Sequence, residues 1–290
     1  MTHSCSICSS QKLRYLFSKP SKDNTNYDIF QCKNCKIVQV VPLPSQEILD
    51  RYYSNEYFTS RTDRGYENYY SQDTRNEIFR VWNLNLNDLG VDFIDLNKLN
   101  PRSLDVGCAA GYFVDYMKSM GWRSMGIEIA PDPIKFAREK LHLDIVEGNF
   151  LEWDKSAEEK FNLITLWASI EHMREPIPVL KKMHSHLTDD GMLILSTCRW
   201  GLLSKFLKQK WRFLNVPEHL FYFGLKELIQ IMEGLGYIYQ SSITYGSGMT
   251  MKKNPSWGFL LFKKIFDWSV KLTNQGDMMA IRFKKGSFNH

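Results

Sequence analysis

Four cysteines near the start of the chain have the spacing of a metal site. They form two pairs, Cys5/Cys8 and Cys32/Cys35, and each pair encloses two residues. Two intervening residues let a tight backbone turn aim both thiols at one point, and two such turns supply the four sulfur ligands that suit tetrahedral zinc. Redox-active dithiols or buried free thiols are the alternatives, and the regular pairing favours the metal. The spacing therefore predicts a small ribbon built around a structural zinc ion.

A loop near the middle of the chain has the features of a nucleoside-binding turn. Residues 104–111 read Leu-Asp-Val-Gly-Cys-Ala-Ala-Gly, between a strand-like run and a helical pattern. Gly107 and Gly111 permit a tight turn and a close approach of the backbone to a ligand. A dinucleotide fingerprint would also need glycine at position 109, where the methyl group of Ala109 would crowd a pyrophosphate. Asp105, which we expect in the loop itself, repels phosphate and favours a cation such as an ammonium or a sulfonium.

A second acidic residue ends the next strand-like run. Glu128 lies 17 residues after Gly111. At the carboxyl edge of a parallel sheet, an acid in this position can accept hydrogen bonds from both hydroxyls of a ribose. The two carboxylates together predict a site for a positively charged nucleoside.

Two histidines follow the later strands and could act as general bases, since the pKa of imidazole lies near neutrality. His172 comes shortly after the run that ends at Trp167, and His219 follows Glu218 between two aromatic clusters. His172 could equally be a packing residue at the start of a helix. His219 does not lie on a helical face, which favours a functional role. We therefore expect His219, Glu218 and His172 to form the catalytic set.

These residues need an alternating framework of strands and helices to bring them together. From about residue 100, short apolar runs alternate with amphipathic helical patterns, which predicts right-handed crossovers and an α/β fold with a doubly wound, mostly parallel, seven-stranded sheet. The predicted strands are Ser103–Val106, Ser124–Ile129, Asp144–Val146, Phe161–Trp167, Met192–Thr197, Tyr237–Thr244 and Met278–Phe283.

The segment before this framework is expected to be helical. Ser45 is placed to cap one helix, and Ile78, Trp82 and Leu86 form the apolar stripe of another that ends near Gly90. Seven aromatic residues in this segment are expected either to pack in the core or to cover a ligand cleft: Tyr52, Tyr53, Tyr57, Phe58, Tyr66, Tyr69 and Tyr70. The predicted parts of the chain are a zinc ribbon at 1–42, a helical connector or cleft lid at 43–98 and the main domain at 99–290.

The composition limits the function classes. The 290 residues are 43% hydrophobic and 24% charged, which is typical of a globular chain, and the net charge of +5 is too small for a dedicated nucleic-acid binder. No apolar run reaches the ~18 residues that span a bilayer and no secretory signal is evident, so we expect a cytoplasmic protein. The amphipathic segment 257–272 is expected to cap the sheet between the last two strands, with weak contact to a membrane surface as the alternative.

Taken in order, these motifs resemble the class I S-adenosylmethionine-dependent methyltransferases over about residues 100–290. The resemblance extends to residues 147–150, Glu-Gly-Asn-Phe, where the family usually has an aspartate that meets the adenine, and to residues 166–169, Leu-Trp-Ala-Ser. Asn149 stands in place of that aspartate and can make a similar but uncharged hydrogen bond. The cofactor-binding residues that the resemblance implies are Asp105, Gly107, Cys108, Gly111, Glu128, Ile129, Asn149, Phe150 and Trp167.

The order of ribbon, tyrosine-rich helices and methyltransferase domain is similar to bacterial enzymes that methylate sugars and other intermediates of polysaccharide or antibiotic biosynthesis. Residues 216–223 match the Glu-His and the aromatic residues of their Tyr-x-Glu-His motif, with Val216 at the tyrosine position. That departure leaves oxygen and nitrogen methylation open beside carbon methylation. The resemblance implies methyl transfer to a nucleotide- or glycan-linked sugar by in-line displacement, with a histidine as the base.

Three other functions fit parts of the sequence. Ribosomal RNA guanine methyltransferases also carry a zinc ribbon before this fold, but RNA binding predicts a stronger basic face. A quinone-type O-methyltransferase would not need the ribbon. The third function is a non-enzymatic scaffold whose methyltransferase domain has decayed. The intact Asp105, Gly107, Gly111 and Glu128 argue against it.

Overall fold

The computed structural model describes residues 3–52, 58–59, 68–91, 100–154, 159–246 and 255–287. Of the clustered tyrosines, Tyr53, Tyr57 and Tyr66 lie outside these ranges. The strands are β1 (Leu13–Pro20), β2 (Asn26–Cys32), β3 (Val38–Val41), β4 (Arg102–Val106), β5 (Arg123–Glu128), β6 (Ile145–Glu147), β7 (Phe161–Trp167), β8 (Leu187–Cys198), β9 (Phe221–Tyr222), β10 (Tyr237–Tyr245) and β11 (Met278–Lys285).

Helices flank these strands. The described α-helices are α1 (Gln46–Tyr52), α2 (Gln72–Asp88), α3 (Tyr112–Ser119), α4 (Pro131–Leu141), α5 (Pro176–His186), α6 (Leu202–Leu207), α7 (Leu225–Gly234) and α8 (Trp257–Leu272), with single 3₁₀ turns at Ile170–His172 and Lys208–Lys210.

The main sheet has seven strands in the order β10-β11-β8-β7-β4-β5-β6. Neighbours from β8 to β6 pair in parallel, and β11 lies antiparallel between β8 and β10. The predicted doubly wound, mostly parallel sheet is confirmed. The reversal of strand order beside β4 puts the carboxyl ends of β4, β5 and β7 around one crevice, which is where such sheets bind ligands.

Both faces of the main sheet are covered by apolar side chains. One cluster joins the strands to α5 and α7, with Leu180 and Met232 buried among strand residues such as Ile164. The other joins α2 and α3 to the opposite face, where the indole of Trp82 meets the ring of Phe113 at 5.1 Å. The apolar stripe predicted for α2 is confirmed, because its buried residues include Ile78, Trp82 and Leu86.

A second sheet of four strands, ordered β1-β2-β3-β9, carries the cysteine pairs at one end. Its last strand comes from far along the chain, since Val38 pairs with Tyr222 and Gln39 with Phe221. Ile29 of the ribbon shares an apolar cluster with Trp211, from the segment that precedes β9. The ribbon therefore takes part of its sheet and core from residues beyond position 198.

The predicted amphipathic segment near the end of the chain is α8. It contacts β10 and buries Val270, but seven of its large apolar side chains are exposed, and among them Trp257 is 78% exposed, Leu272 70% and Trp268 64%. The helix therefore covers the sheet less fully than its pattern predicts. Among the described residues, we find no helix both long enough and apolar enough to cross a bilayer.

Candidate active site

The loop after β4 depends on two glycines with left-handed backbone angles. Gly107 has φ of +70° and Gly111 has φ of +72°. A Cβ on Gly107 would lie 2.6 Å from Oγ of Ser169, and a Cβ on Gly111 would lie 2.8 Å from a methyl group of Leu143. Neither position has room for a side chain, so the loop can bring the end of β4 against the residues that follow β7.

Glu128 joins this loop to the end of β5. Its Oε2 accepts a hydrogen bond of 2.8 Å from the amide of Ala109, and its Oε1 accepts bonds from the amides of Ile129 and Ala130 at 2.8 and 2.9 Å. Each carboxylate oxygen can accept more than one hydrogen bond, so Glu128 can hold the loop and also receive ribose hydroxyls. The neighbouring Ile129 is 49% exposed and offers an apolar surface beside it.

Asp105 lies on β4 rather than in the turn after it, and its carboxyl is buried. Burial raises its pKa to about 8; the hydrogen bond of 2.6 Å from Oγ1 of Thr165 opposes that rise, and the charge of Glu128 adds to it. A carboxyl with this pKa is mostly protonated at neutral pH. A cation bound beside it would favour the carboxylate, which makes the crevice suited to a positively charged ligand.

Three other predicted cofactor residues have different surroundings. The side chain of Cys108 is buried in an apolar cluster, where burial raises its thiol pKa well above the usual value, so only its backbone is left for a ligand. Phe150 is a core residue that stacks on Trp153 with ring centroids 5.9 Å apart. Asn149 is exposed, and its Oδ1 accepts a hydrogen bond of 3.0 Å from the amide of Leu151, so it stabilises a turn.

Trp167 lies at the carboxyl end of β7, between the crevice and the aromatic cluster of α2 and α3. Its ring is 5.7 Å from that of Trp82 and 5.2 Å from that of Phe113. Its indole N–H is buried and has no hydrogen-bond partner among the residues that the structure describes. Because a buried donor without a partner is costly, this N–H is a candidate contact for a bound polar group.

The two predicted histidines meet, although they are far apart in the chain. The rings of His172 and His219 contact edge to face, with centroids 4.6 Å apart. Nδ1 of His219 lies 2.8 Å from the carbonyl oxygen of Phe213. A carbonyl can only accept, so Nδ1 carries the proton, and in the neutral ring the basic lone pair is on Nε2.

Glu171, which is not among the residues predicted to be catalytic, lies beside both histidines. Glu171, His172 and His219 each present a potential ligand atom, and these atoms lie within 4.8 Å of one another. Glu171 is only 1% exposed, and its carbonyl accepts a hydrogen bond of 2.8 Å from the amide of Leu220. The Glu-His pair at 171–172, four residues after the end of β7, was the available signal. The predicted Glu218 is also buried, but it lines a cleft towards the ribbon.

The four ribbon cysteines converge as their spacing predicts. Sγ of Cys5 is 3.6 Å from that of Cys35, Sγ of Cys8 is 3.6 Å from that of Cys32, and all four lie within 4.8 Å of one another. A tetrahedron with Zn–S bonds of about 2.3 Å places its sulfurs about 3.8 Å apart. The backbone and side-chain amides of Asn34 also donate to two of the sulfurs. The donor set and its dimensions fit a structural zinc ion.

Comparison with known proteins gives consistent matches for the main domain. Residues 62–242 match the family described as "Methyltransferase domain". The ubiquinone biosynthesis O-methyltransferase of Glaesserella parasuis is 31% identical over 125 residues, which cover 39% of this chain and 52% of that protein. The ubiquinone biosynthesis O-methyltransferase of Actinobacillus pleuropneumoniae is 29% identical over 125 residues, which cover 39% of this chain and 53% of that protein. The chain spans about half the length of these curated relatives.

A solved structure shows the same fold. A SAM-dependent methyltransferase from Archaeoglobus fulgidus superposes with a TM-score of 0.52 at 18% sequence identity, over 83% of this chain and 100% of that one. At this identity the similarity concerns the arrangement of the sheet and its helices.

Proposed function

This chain belongs to the methyltransferase-domain family, and we propose that it transfers a methyl group from S-adenosylmethionine to an oxygen atom of a small acceptor. The observation that supports this most directly is the pair of carboxyls at the carboxyl ends of β4 and β5. Glu128 is tied to the loop, and Asp105 is buried with a raised pKa. That combination suits a ligand that has both a ribose and a cation.

The cofactor would be held by residues from three strand ends. Glu128 would accept the ribose hydroxyls, Ile129 would cover one face of the adenine and Asn149 would meet its edge. Asp105 would balance the positive charge, and Gly107 would let the backbone approach closely. Bound there, S-adenosylmethionine would supply an electrophilic methyl group on a sulfonium.

His219 would serve as the general base for the acceptor. Its Nδ1 donates to the carbonyl of Phe213, which fixes the ring and directs the Nε2 lone pair elsewhere. Nε2 would accept the hydroxyl proton as the acceptor oxygen takes the methyl group from the sulfonium, which would leave as the neutral thioether S-adenosylhomocysteine. The buried carboxylate of Glu171 would stabilise the resulting imidazolium, and the edge of His172 would limit how the ring can turn.

The acceptor oxygen belongs either to a sugar hydroxyl or to a phenol, and we favour the sugar hydroxyl. The ribbon that pairs with β9 just after His219 supports it, since the resemblance to sugar methyltransferases implies a ribbon beside the substrate cleft. A phenolic acceptor is favoured by the curated relatives, which are ubiquinone biosynthesis O-methyltransferases. The two classes differ in acidity. A phenol has a pKa of about 10 and depends less on a base than a sugar hydroxyl does.

The four-cysteine cluster would hold one zinc ion as a structural centre. Its four sulfurs leave no coordination position for a substrate, so the metal would stabilise the ribbon and take no part in methyl transfer.

The experiment compares His219→Ala with wild type, using S-adenosylmethionine labelled in its methyl group and a panel of nucleotide sugars and catechols. We expect kcat to fall by about 10²–10⁴ with a sugar acceptor, and by less with a catechol. Calorimetry should give an unchanged affinity for the cofactor. His142→Asn is the matched control, because it removes an exposed imidazole at a left-handed position that asparagine tolerates. Unchanged turnover in His219→Ala would remove this residue from the mechanism.

A further inference from the structure

A cleft of about 310 Å³ separates the end of β1 from the segment that leads to His219. Lys19 and Lys22 line it from the ribbon, and Lys210 and Arg212 line it from the opposite wall. Among the lining residues, one is acidic: the buried Glu218, which directly precedes His219 in the chain. His219 does not line the cleft itself, but its amide donates to the carbonyl of the lining residue Asn215 at 2.8 Å. The cleft therefore combines four cationic side chains with a wall that is hydrogen-bonded to the proposed base residue.

Hydrogen bonds hold the two walls together. Nζ of Lys19 donates to the carbonyl of Gln209 at 2.6 Å, and Nε2 of Gln209 donates to the carbonyl of Ser18 at 2.9 Å. The guanidinium of Arg212 is supported by the ring of Phe213, 4.9 Å from its centroid. Lys19 and Arg212 are therefore held in position, and cations held in this way bind an anion with less loss of conformational entropy than freely moving side chains do.

We propose that this cleft binds a phosphate or diphosphate group carried by the methyl acceptor. Arginine and lysine are the side chains that proteins use to bind phosphate groups. A single carboxylate group on the acceptor carries less charge and would not need four cations. The volume is at the low end for small-molecule sites, which fits a subsite for one part of a larger acceptor. The inference rests on the proposed methyl transfer and identifies the chemical class of the acceptor.

The test is calorimetric titration of inorganic pyrophosphate into the 290-residue chain saturated with S-adenosylhomocysteine. We expect saturable binding in wild type. The double variant Lys22→Gln/Lys210→Gln should bind about 5–30-fold more weakly, because it loses two of the four cations. Lys205→Gln/Lys226→Gln is the matched control, since both lysines are exposed, lie outside the cleft and carry the same total charge. Equal losses in the two double variants would mean non-specific attraction and would overturn the proposal.

Two further titrations distinguish the possible carriers of the diphosphate. UDP-glucose represents a nucleotide-linked acceptor and farnesyl diphosphate represents a lipid-linked one. Tighter binding than pyrophosphate by either one, with the same dependence on Lys22 and Lys210, supports the site and identifies the carrier. Binding of a single-stranded oligoribonucleotide without any binding of pyrophosphate would assign the cleft to RNA and overturn the proposal.

Failure of this inference can be distinguished from failure of the proposed function. A protein that binds S-adenosylmethionine and methylates an uncharged acceptor, but does not bind pyrophosphate at millimolar concentration, lacks the subsite and keeps its activity. A protein that does not bind S-adenosylmethionine lacks the activity itself. With a phosphorylated acceptor, the Lys22→Gln/Lys210→Gln variant should raise KM about 5–30-fold at constant kcat.

Discussion

The raised pKa of Asp105 predicts that cofactor affinity increases with pH. In the protein without ligand this carboxyl has a pKa of about 8, mainly because it is buried. A bound cation requires the ionised form, so binding below pH 8 must release a proton. The affinity for S-adenosylmethionine should therefore rise as the pH increases from 6 to 8. The Asp105→Asn variant cannot release this proton and should show a flatter profile.

The size of the effect follows from the titration curve. If binding needs the ionised carboxyl, the affinity at each pH scales with the ionised fraction, which falls about fiftyfold between pH 8 and pH 6 for a pKa of about 8. This corresponds to about 2.3 kcal/mol. At pH 7, binding should release about 0.9 of a proton per site. Thr165→Val removes the hydrogen bond that lowers this pKa and should shift the rise to higher pH.

Calorimetry in buffers with different ionisation enthalpies measures both the affinity and the proton release. The α-amino group of the cofactor also titrates in this range, but it does so equally with wild type and with Asp105→Asn, so the difference between the two proteins isolates Asp105.

Unfolding gives a second readout. Since the folded pKa lies above the ordinary value of 3.8, Asp105 should lower the free energy of unfolding of the unliganded protein as the pH rises from about 4 to 8. A wild-type affinity that is flat across this range would refute the reasoning.

Two further predictions concern the ribbon and the loop. Cys8→Ser should abolish the binding of one zinc ion per chain, measured by metal analysis, whereas Cys108→Ser should keep it. Gly107→Ala should destabilise the protein by more than the ~1–3 kcal/mol expected of its backbone angle alone, because the new methyl group would meet Ser169. Gly121→Ala has a similar φ of +83° and open space around it, so it measures the backbone contribution separately in denaturant unfolding. Equal losses in the two glycine variants would contradict the steric argument.

The parallel strands could be predicted because their apolar runs are buried on both faces, and β7 has the predicted bounds. Other strands begin or end at residues different from those predicted. β8 begins at Leu187, five residues before the predicted start, because the turn-like sequence Thr-Asp-Asp-Gly at 188–191 is part of the strand. β9 has only two residues and no pattern of its own. Its existence depends on pairing with β3, which is distant in the sequence.

Side-chain identity selected Asp105, Glu128 and the two histidines as candidates, and the structure places Asp105 on β4 and Glu128 at the end of β5 and brings the two histidines together. Identity does not give orientation. Glu218 and His219 are neighbours, yet Glu218 lines the cleft towards the ribbon while His219 meets His172. The carboxylate in that histidine cluster is instead Glu171, which tertiary packing brings beside His219. Adjacent residues in an irregular segment can face opposite ways, and no periodicity predicts which of them faces the site.

The ribbon and the proposed base belong to one packed unit, which leads to an expectation about zinc. β9 begins two residues after His219 and completes the ribbon sheet, and the amide of Val40 donates to the carbonyl of Leu220 at 3.0 Å. The crevice around Asp105 depends on a different set of strands and helices. Loss of zinc in Cys8→Ser should therefore disturb the base and lower kcat, while calorimetry finds the affinity for S-adenosylmethionine within about twofold of wild type. A parallel loss of turnover and cofactor affinity would instead mean that the ribbon stabilises the whole methyltransferase domain, since only global destabilisation reaches both sites.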